Sequence, residues 1–131
     1  MTYTTSERVD GSFDEVVDRT IAALEDEGFG VLCDVDVRAT FAEKLNEEFR
    51  NYRILGACNP ELAHDGLQDD LDLGALLPCN VVVYEGDDGD VVVSAVDPTR
   101  LVGLSDDPAL EPMAAEVDDR FARVLSAVVE S

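Results

Sequence analysis

Two short stretches of the chain carry the same pair of residues. Residues 56–64 read "GACNPELAH" and hold Cys58-Asn59-Pro60; residues 76–80 read "LLPCN" and hold Pro78-Cys79-Asn80. A thiol beside a carboxamide, met twice, admits three uses. The cysteines could act as a nucleophile or a reversible redox pair, which requires thiolates. With His64, the chain's one histidine, they could bind a soft or borderline metal such as zinc or copper. They could also line a small-molecule site. Twenty residues with one histidine among them separate Cys58 from Cys79, which is not a recognised ligand spacing, and three ligands leave one position open. No metal is therefore expected, and no cofactor is indicated. Each residue also has a purely architectural use. Asn59 can cap a helix that starts at Pro60, Gly56 can save space, the two thiols can pack as small apolar groups, and Asn80 can bond nearby backbone.

Whether the two pairs meet depends on the elements that carry them. "NYRILGAC" reads as a strand over Tyr52–Cys58, and Pro60 to about Asp70 as a helix capped by Asn59. "LDLGALLP" returns the chain in extended form. "NVVVYE" and "DVVVSAV", joined by "GDDG", form the strongest hairpin signal. If the strand ending at Cys58 pairs antiparallel with the one beginning at Cys79, both Cys-Asn pairs lie at one edge of the sheet, within about 10 Å of each other. His64, one turn into the intervening helix, falls on the side of Pro60.

The remaining elements follow from periodicity and punctuation. Thr2–Val9 alternates as a strand. Ser12 and Glu15 form a capping box, Val17, Ile21 and Leu24 make an apolar stripe, and Gly28 ends that helix. Phe29–Val37 reads as a strand whose alternation puts Cys33 on one face with Phe29, Val31, Val35 and Val37, packed as a core hydrophobe. Ala39–Phe49 reads as a short helix capped by Thr40. A last helix starts near Pro108 or Pro112 and buries Met113, Val117, Phe121, Val124, Leu125 and Val128. This order gives an α+β fold: two layers, with a mainly antiparallel sheet of about five strands packed against helices, in a single domain spanning residues 1–131. The valine-rich strands are apolar on both faces, so they should be central and covered on each side. Two long helices supply one cover. A second copy of the chain is expected to supply the other.

Thirty acidic residues face nine basic ones, for a net charge of -21, and Lys44 is the one lysine. Such a surface suits a salt-adapted, haloarchaeal type of cytoplasm, where molar salt screens self-repulsion to within about 3 Å. It argues against nucleic acid and anionic membranes as partners, because phosphate contacts need a basic patch. "MTYTTSERVDGSF" lacks an apolar core, so no signal peptide is expected, and no run is long enough to span a membrane. A cytoplasmic location follows, where an odd count of three cysteines speaks against a structural disulfide. "EGDDGD" lacks the length and closing glutamate of an EF-hand loop.

"YRILGACNPELAH", then "LLPCNVVVYE" and "VSAVDP", resembles the domain of unknown function 302 family, and the resemblance runs over nearly the whole chain. The matching residues are Tyr52, Gly56, Cys58, Asn59, Pro60, Ala63, Pro78, Cys79 and Asn80. Asn51 stands where the family more often has a proline, which affects the local turn alone. The resemblance implies a compact α+β domain, dimeric, with no established reaction. The expectation is thus a ligand-binding or sensing homodimer with a small-molecule site formed by Tyr52, Arg53, Cys58, Asn59, His64, Cys79 and Asn80. One alternative is a thiol-based redox enzyme or sensor using Cys58 or Cys79. The other is an interaction module whose motif residues are purely structural.

Overall fold

The computed structural model describes residues 2–130. The elements in chain order are β1 (Thr4–Val9), α1 (Phe13–Asp26), β2 (Gly30–Asp36), α2 (Val37–Leu45), β3 (Tyr52–Cys58), α3 (Pro60–Asp69), a 3-10 helix (Leu71–Leu76), β4 (Cys79–Glu85), β5 (Val91–Val96), α4 (Pro98–Gly103), a 3-10 turn (Pro108–Leu110) and α5 (Glu111–Glu130). The five strands form one antiparallel sheet in the order β1-β5-β4-β3-β2. This is the expected α+β architecture.

Alternation along the central strands sorts their side chains. Leu55, Ala57, Cys79, Val81, Val83, Val91, Val93 and Ala95 face α1 and α5 and are buried. Against them α1 places Val16, Val17, Thr20 and Leu24, and α5 places Val117, Phe121, Val124, Leu125 and Val128. Thr20 stays in this apolar layer because its hydroxyl donates to the Val16 carbonyl at 2.7 Å. A second cluster of Leu73, Val102, Leu110 and Ala114, with Met113 packed on it, seals the end of the sheet where β3 stops and β4 starts.

Local signals set the ends of α1. Ser12 accepts from the Glu15 amide at 3.3 Å. Gly28, at φ +86°, lets the Phe29 amide reach back to the Leu24 carbonyl and its own amide reach Glu25. This closure satisfies the last carbonyls of the helix and aims Phe29 into the core.

Four expectations are corrected. β2 carries a bulge: Val31 pairs with Ala57 but Cys33 pairs with Gly56, so two residues oppose one. The extra residue flips the parity of the strand. Phe29 and Val31 keep to the helical side, while Cys33 and Val35 turn to the other face, where Cys33 is exposed and not a core residue. The second helix runs Val37–Leu45, not Ala39–Phe49. Asp36 caps it by accepting from the Ala39 amide, Asn46 ends it at φ 54°, and Thr40 instead donates its hydroxyl back to the Asp36 carbonyl. The return after α3 winds as a 3-10 helix because Asp70 accepts from the Asp72 amide and starts a new turn. The first strand begins at Thr4, two residues later than expected.

The second face of the sheet carries Thr4 and Ser6 of β1, Val92, Ser94 and Val96 of β5, Asn80, Val82 and Tyr84 of β4, Tyr52, Ile54 and Gly56 of β3, and Cys33 and Val35 of β2. Within this chain α2 flanks it along β2 and β3, and no helix crosses it among the described residues.

Candidate functional site

The β3–β4 register pairs Ala57 with Cys79, so Cys58 and Cys79 stand one residue apart across the ladder. Sheet spacing puts their Cα atoms roughly 6 Å apart. Antiparallel pairing therefore brings the two cysteines together, and both line one slot with Phe29, Leu62, Leu77 and Val117. The void there is ≈ 20 Å³. That holds about one water, against roughly 300 Å³ or more for a small-molecule site. Burial, together with the neighbouring Cys58, pushes the Cys79 thiol up to about 11, and burial also raises Cys58. Both thiols are protonated at neutral pH, the opposite of what an activated nucleophile needs.

Asn59 caps α3 by accepting from the Leu62 amide at 3.0 Å, and its Nδ2 donates to the Gly28 carbonyl at 3.0 Å. One carboxamide thus ties the start of α3 to the end of α1. Asn80 follows Cys79 by one residue and so faces the opposite side of the sheet, where it is exposed. Among the described residues its amide braces no loop. His64 is 71% exposed, with Nδ1 3.9 Å from Asp65 on the same helix, and does not line the slot. Arg53 lies on the helical side at the sheet margin, where both Asp34 carboxylate oxygens accept from it; that pairing raises the guanidinium pKa. No group of three or more His, Cys, Asp or Glu among the described residues could hold a metal ion. The candidate set therefore divides. Cys58, Asn59 and Cys79 gather at one end, Tyr52 and Asn80 lie on the open face, and Arg53 and His64 stand apart.

Cys79 is 5% exposed and Cys58 half-buried. Cys79→Ser is expected to cost about 1–3 kcal/mol, because a hydroxyl without a partner replaces a packed thiol. Cys58→Ser, closer to solvent, should cost less than about 1 kcal/mol. Denaturant midpoints in concentrated salt check both. Equal losses at the two positions would contradict the burial difference.

Around Tyr52, which the sequence singles out, the open face gathers three aromatic residues that it does not: Phe41, Phe49 and Tyr84. Phe41 and Phe49 meet edge-on at 5.2 Å between centroids, Phe49 and Tyr52 lie at 6.1 Å, and Tyr52 stacks on Tyr84 at 5.5 Å. This aromatic row has a hollow of ≈ 430 Å³ on one side, lined by Val35, Val37, Thr40, Phe41, Phe49, Tyr52 and Ile54. On the other side is a trough of ≈ 500 Å³ with Tyr3, Ser6, Asn80, Tyr84 and Ser94 in its walls. Ser6 and Ser94 satisfy each other at 2.7 Å. The available signal was strand parity: Tyr52 and Tyr84 occupy the positions that alternate with buried Leu55 and Val83.

Comparison with known proteins agrees with the residue pattern. The family model described as "Domain of unknown function DUF302" matches residues 4–128. A crystal structure of an uncharacterized conserved DUF302 protein from Bacillus stearothermophilus is 34% identical, with a TM-score of 0.90 over 97% of this chain and 98% of that one. No curated protein matches. With the family pattern running from β1 to the last turns of α5, the chain belongs to the DUF302 family.

Proposed function

We propose that this chain is a homodimeric binding domain of a salt-adapted cytoplasm, and that two copies assemble through the open faces of their sheets. One observation carries the reading. Five of the eight aromatic residues, Tyr3, Phe41, Phe49, Tyr52 and Tyr84, belong to that face. Its strand positions carry a single charge, Arg8 at the margin, which is paired with Asp88 and Asp90. In a chain of net charge -21, a surface free of acids is one that water does not cover in the working state. Aromatic enrichment with charge depletion is the composition of an interface core.

The dimensions suit a second copy. Five strands about 4.8 Å apart, each of six or seven residues, make a face of roughly 24 by 20 Å. Two such faces together remove about 1,000 Å² or more from water, enough for a specific interface. Face-to-face docking also leaves both acidic helical layers pointing outward. A ligand, where one binds, has room in the hollow beside Phe49 and not in the slot at Cys58 and Cys79.

Sedimentation at tens of micromolar in multimolar KCl is the test. Wild type is expected to run as a dimer. Tyr84→Lys, which buries a charge between the sheets, is expected to run as a folded monomer. A monomeric wild type, or a dimer untouched by Tyr84→Lys, overturns the proposal.

A further inference from the structure

We propose that the hollow beside α2 binds a small aromatic carboxylic acid, its ring among Phe41, Phe49 and Tyr52 and its carboxylate on Lys44. The inference rests on the reading of this chain as a binding domain, but every wall of the hollow comes from one chain, so the site does not need the partner copy.

The walls call for an apolar ring. At ≈ 430 Å³ the hollow falls within the size range of small-molecule sites. Three of its lining residues are aromatic, and Val35, Val37 and Ile54 add aliphatic surface. Phe41 and Phe49 meet edge-on at 71°, while Phe49 and Tyr52 are tilted by 46°. An inserted ring therefore meets both edges and faces, the contacts that aromatic pairs prefer. Thr40 brings a hydroxyl, but its proton is already given to the Asp36 carbonyl at 2.8 Å.

The mouth calls for an anion. Val37, Thr40 and Phe41 reach the hollow from α2, and Lys44 continues the same helical stripe, three residues past Phe41 and four past Thr40. Helical side chains lean toward the N-terminus, so Lys44 extends back over the turn that carries Thr40 and Phe41. It is the chain's one lysine, it is exposed, and it makes no ion pair among the described residues. Arg50 stands 6.0 Å from the Phe49 ring, but its guanidinium already holds Asp87 and the Glu85 carbonyl. Residues 38–53 carry four of the nine basic residues against three of the thirty acids. The field that repels an anion elsewhere on this chain is therefore reversed beside the hollow. The same lysine disfavours a cation, which the three rings would otherwise accept.

The test compares three probes on one skeleton: 3-phenylpropionate, 3-phenylpropionamide and 3-phenylpropylamine. Each is titrated calorimetrically in multimolar KCl, with the ring-proton signals of Phe41, Phe49 and Tyr52 followed by NMR. The acid is expected to bind with a Kd of about 1 mM or tighter and to shift those three signals. It should bind about 5-fold more tightly than the amide, the upper end for an exposed ion pair, and the amine should bind most weakly. Lys44→Gln should bring the acid down to the affinity of the amide and leave the amide unchanged. Val35→Trp, which fills the hollow from β2, should abolish binding of both. Should Val35→Trp fail to fold, Phe49→Ala takes its place and should weaken both about 10-fold. A wild type that takes up no acid below about 10 mM, an amine that binds as tightly as the acid, or a preference for the acid that survives Lys44→Gln overturns the site. So does binding untouched by the wall variant. Sedimentation of the same samples keeps this result apart from dimerisation: a dimer that takes up no acid sinks the site alone, and a monomer that takes it up sinks the dimer alone.

Discussion

Moved from multimolar KCl into dilute buffer, the chain is expected to lose most of its folding stability. The net charge is -21 on a 14.2 kDa chain, and the folded state confines it to a sphere of about 18 Å radius. For charge smeared over that sphere, self-repulsion falls by about 11 kcal/mol when the screening length drops from about 10 Å to about 3 Å. The unfolded chain, more than twice as wide, gains only about 3 kcal/mol from the same screening. The difference, about 8 kcal/mol in favour of the folded state, is comparable with the whole stability of an ordinary domain. Arg8, Arg53, Arg100, Arg120 and Arg123 each hold a carboxylate, but nine basic residues cannot offset thirty acids. Urea midpoints at low and multimolar KCl measure the effect. A midpoint that stays put would sink the salt-adaptation reading. Potassium sulfate should act at least as strongly as chloride, since screening does not depend on a specific ion site.

Much of this fold is legible in the residues because its punctuation is local. Ser12 with Glu15, Asn59 with Pro60, and Gly28 each act over three or four positions, so the starts of α1 and α3 and the end of α1 follow from sequence alone. The β4–β5 hairpin is equally plain, with its valine runs and a glycine at φ +85° in the turn. β2 is different. Nothing in "FGVLCDVDV" marks the residue at which the strand slips, because the bulge is fixed by pairing with β3 and by the close approach of Cys33 to Gly56. One inserted residue then reversed the placement of Cys33. Asp36 outcompeted Thr40 as a cap for a similar reason: either side chain could do it, and the end of β2 decided.

The site divides along the same line. Antiparallel pairing made the approach of Cys58 and Cys79 readable, since it depends on topology alone. Parity one residue further on was equally available but points the other way. Adjacent strand residues face opposite sides of a sheet, so Cys79 is buried among the helices while Asn80 is exposed on the open face. The two Cys-Asn pairs therefore meet at one end of the sheet without turning a common set of side chains to one face.

Truncating one aromatic ring on each side of the sheet is expected to separate the core from the working surface. Phe121 is 2% exposed and packs on Phe29 at 5.0 Å, under the centre of the helical layer. Phe121→Ala should cost about 3–5 kcal/mol, since the cavity it leaves lies between α5 and strands that cannot collapse into it. Tyr52 lies on the open face, stacked on Tyr84 at 5.5 Å and touching Phe49. In a dilute, monomeric sample Tyr52→Ala removes only that ring pairing, and the monomer should lose no more than about 1.5 kcal/mol. At dimer-forming concentrations the same change should weaken association by about 2 kcal/mol, roughly 30-fold in Kd, as for a tyrosine near the middle of an interface. Phe121→Ala should show the reverse pattern: a large drop in denaturant midpoint, and an unchanged dimer constant for the fraction that stays folded. Both measurements belong in multimolar salt, where the chain has stability to lose. If Tyr52→Ala instead destabilises the monomer as much as Phe121→Ala does, the aromatic row is a second core belonging to one chain. The homodimer then loses the surface on which it rests.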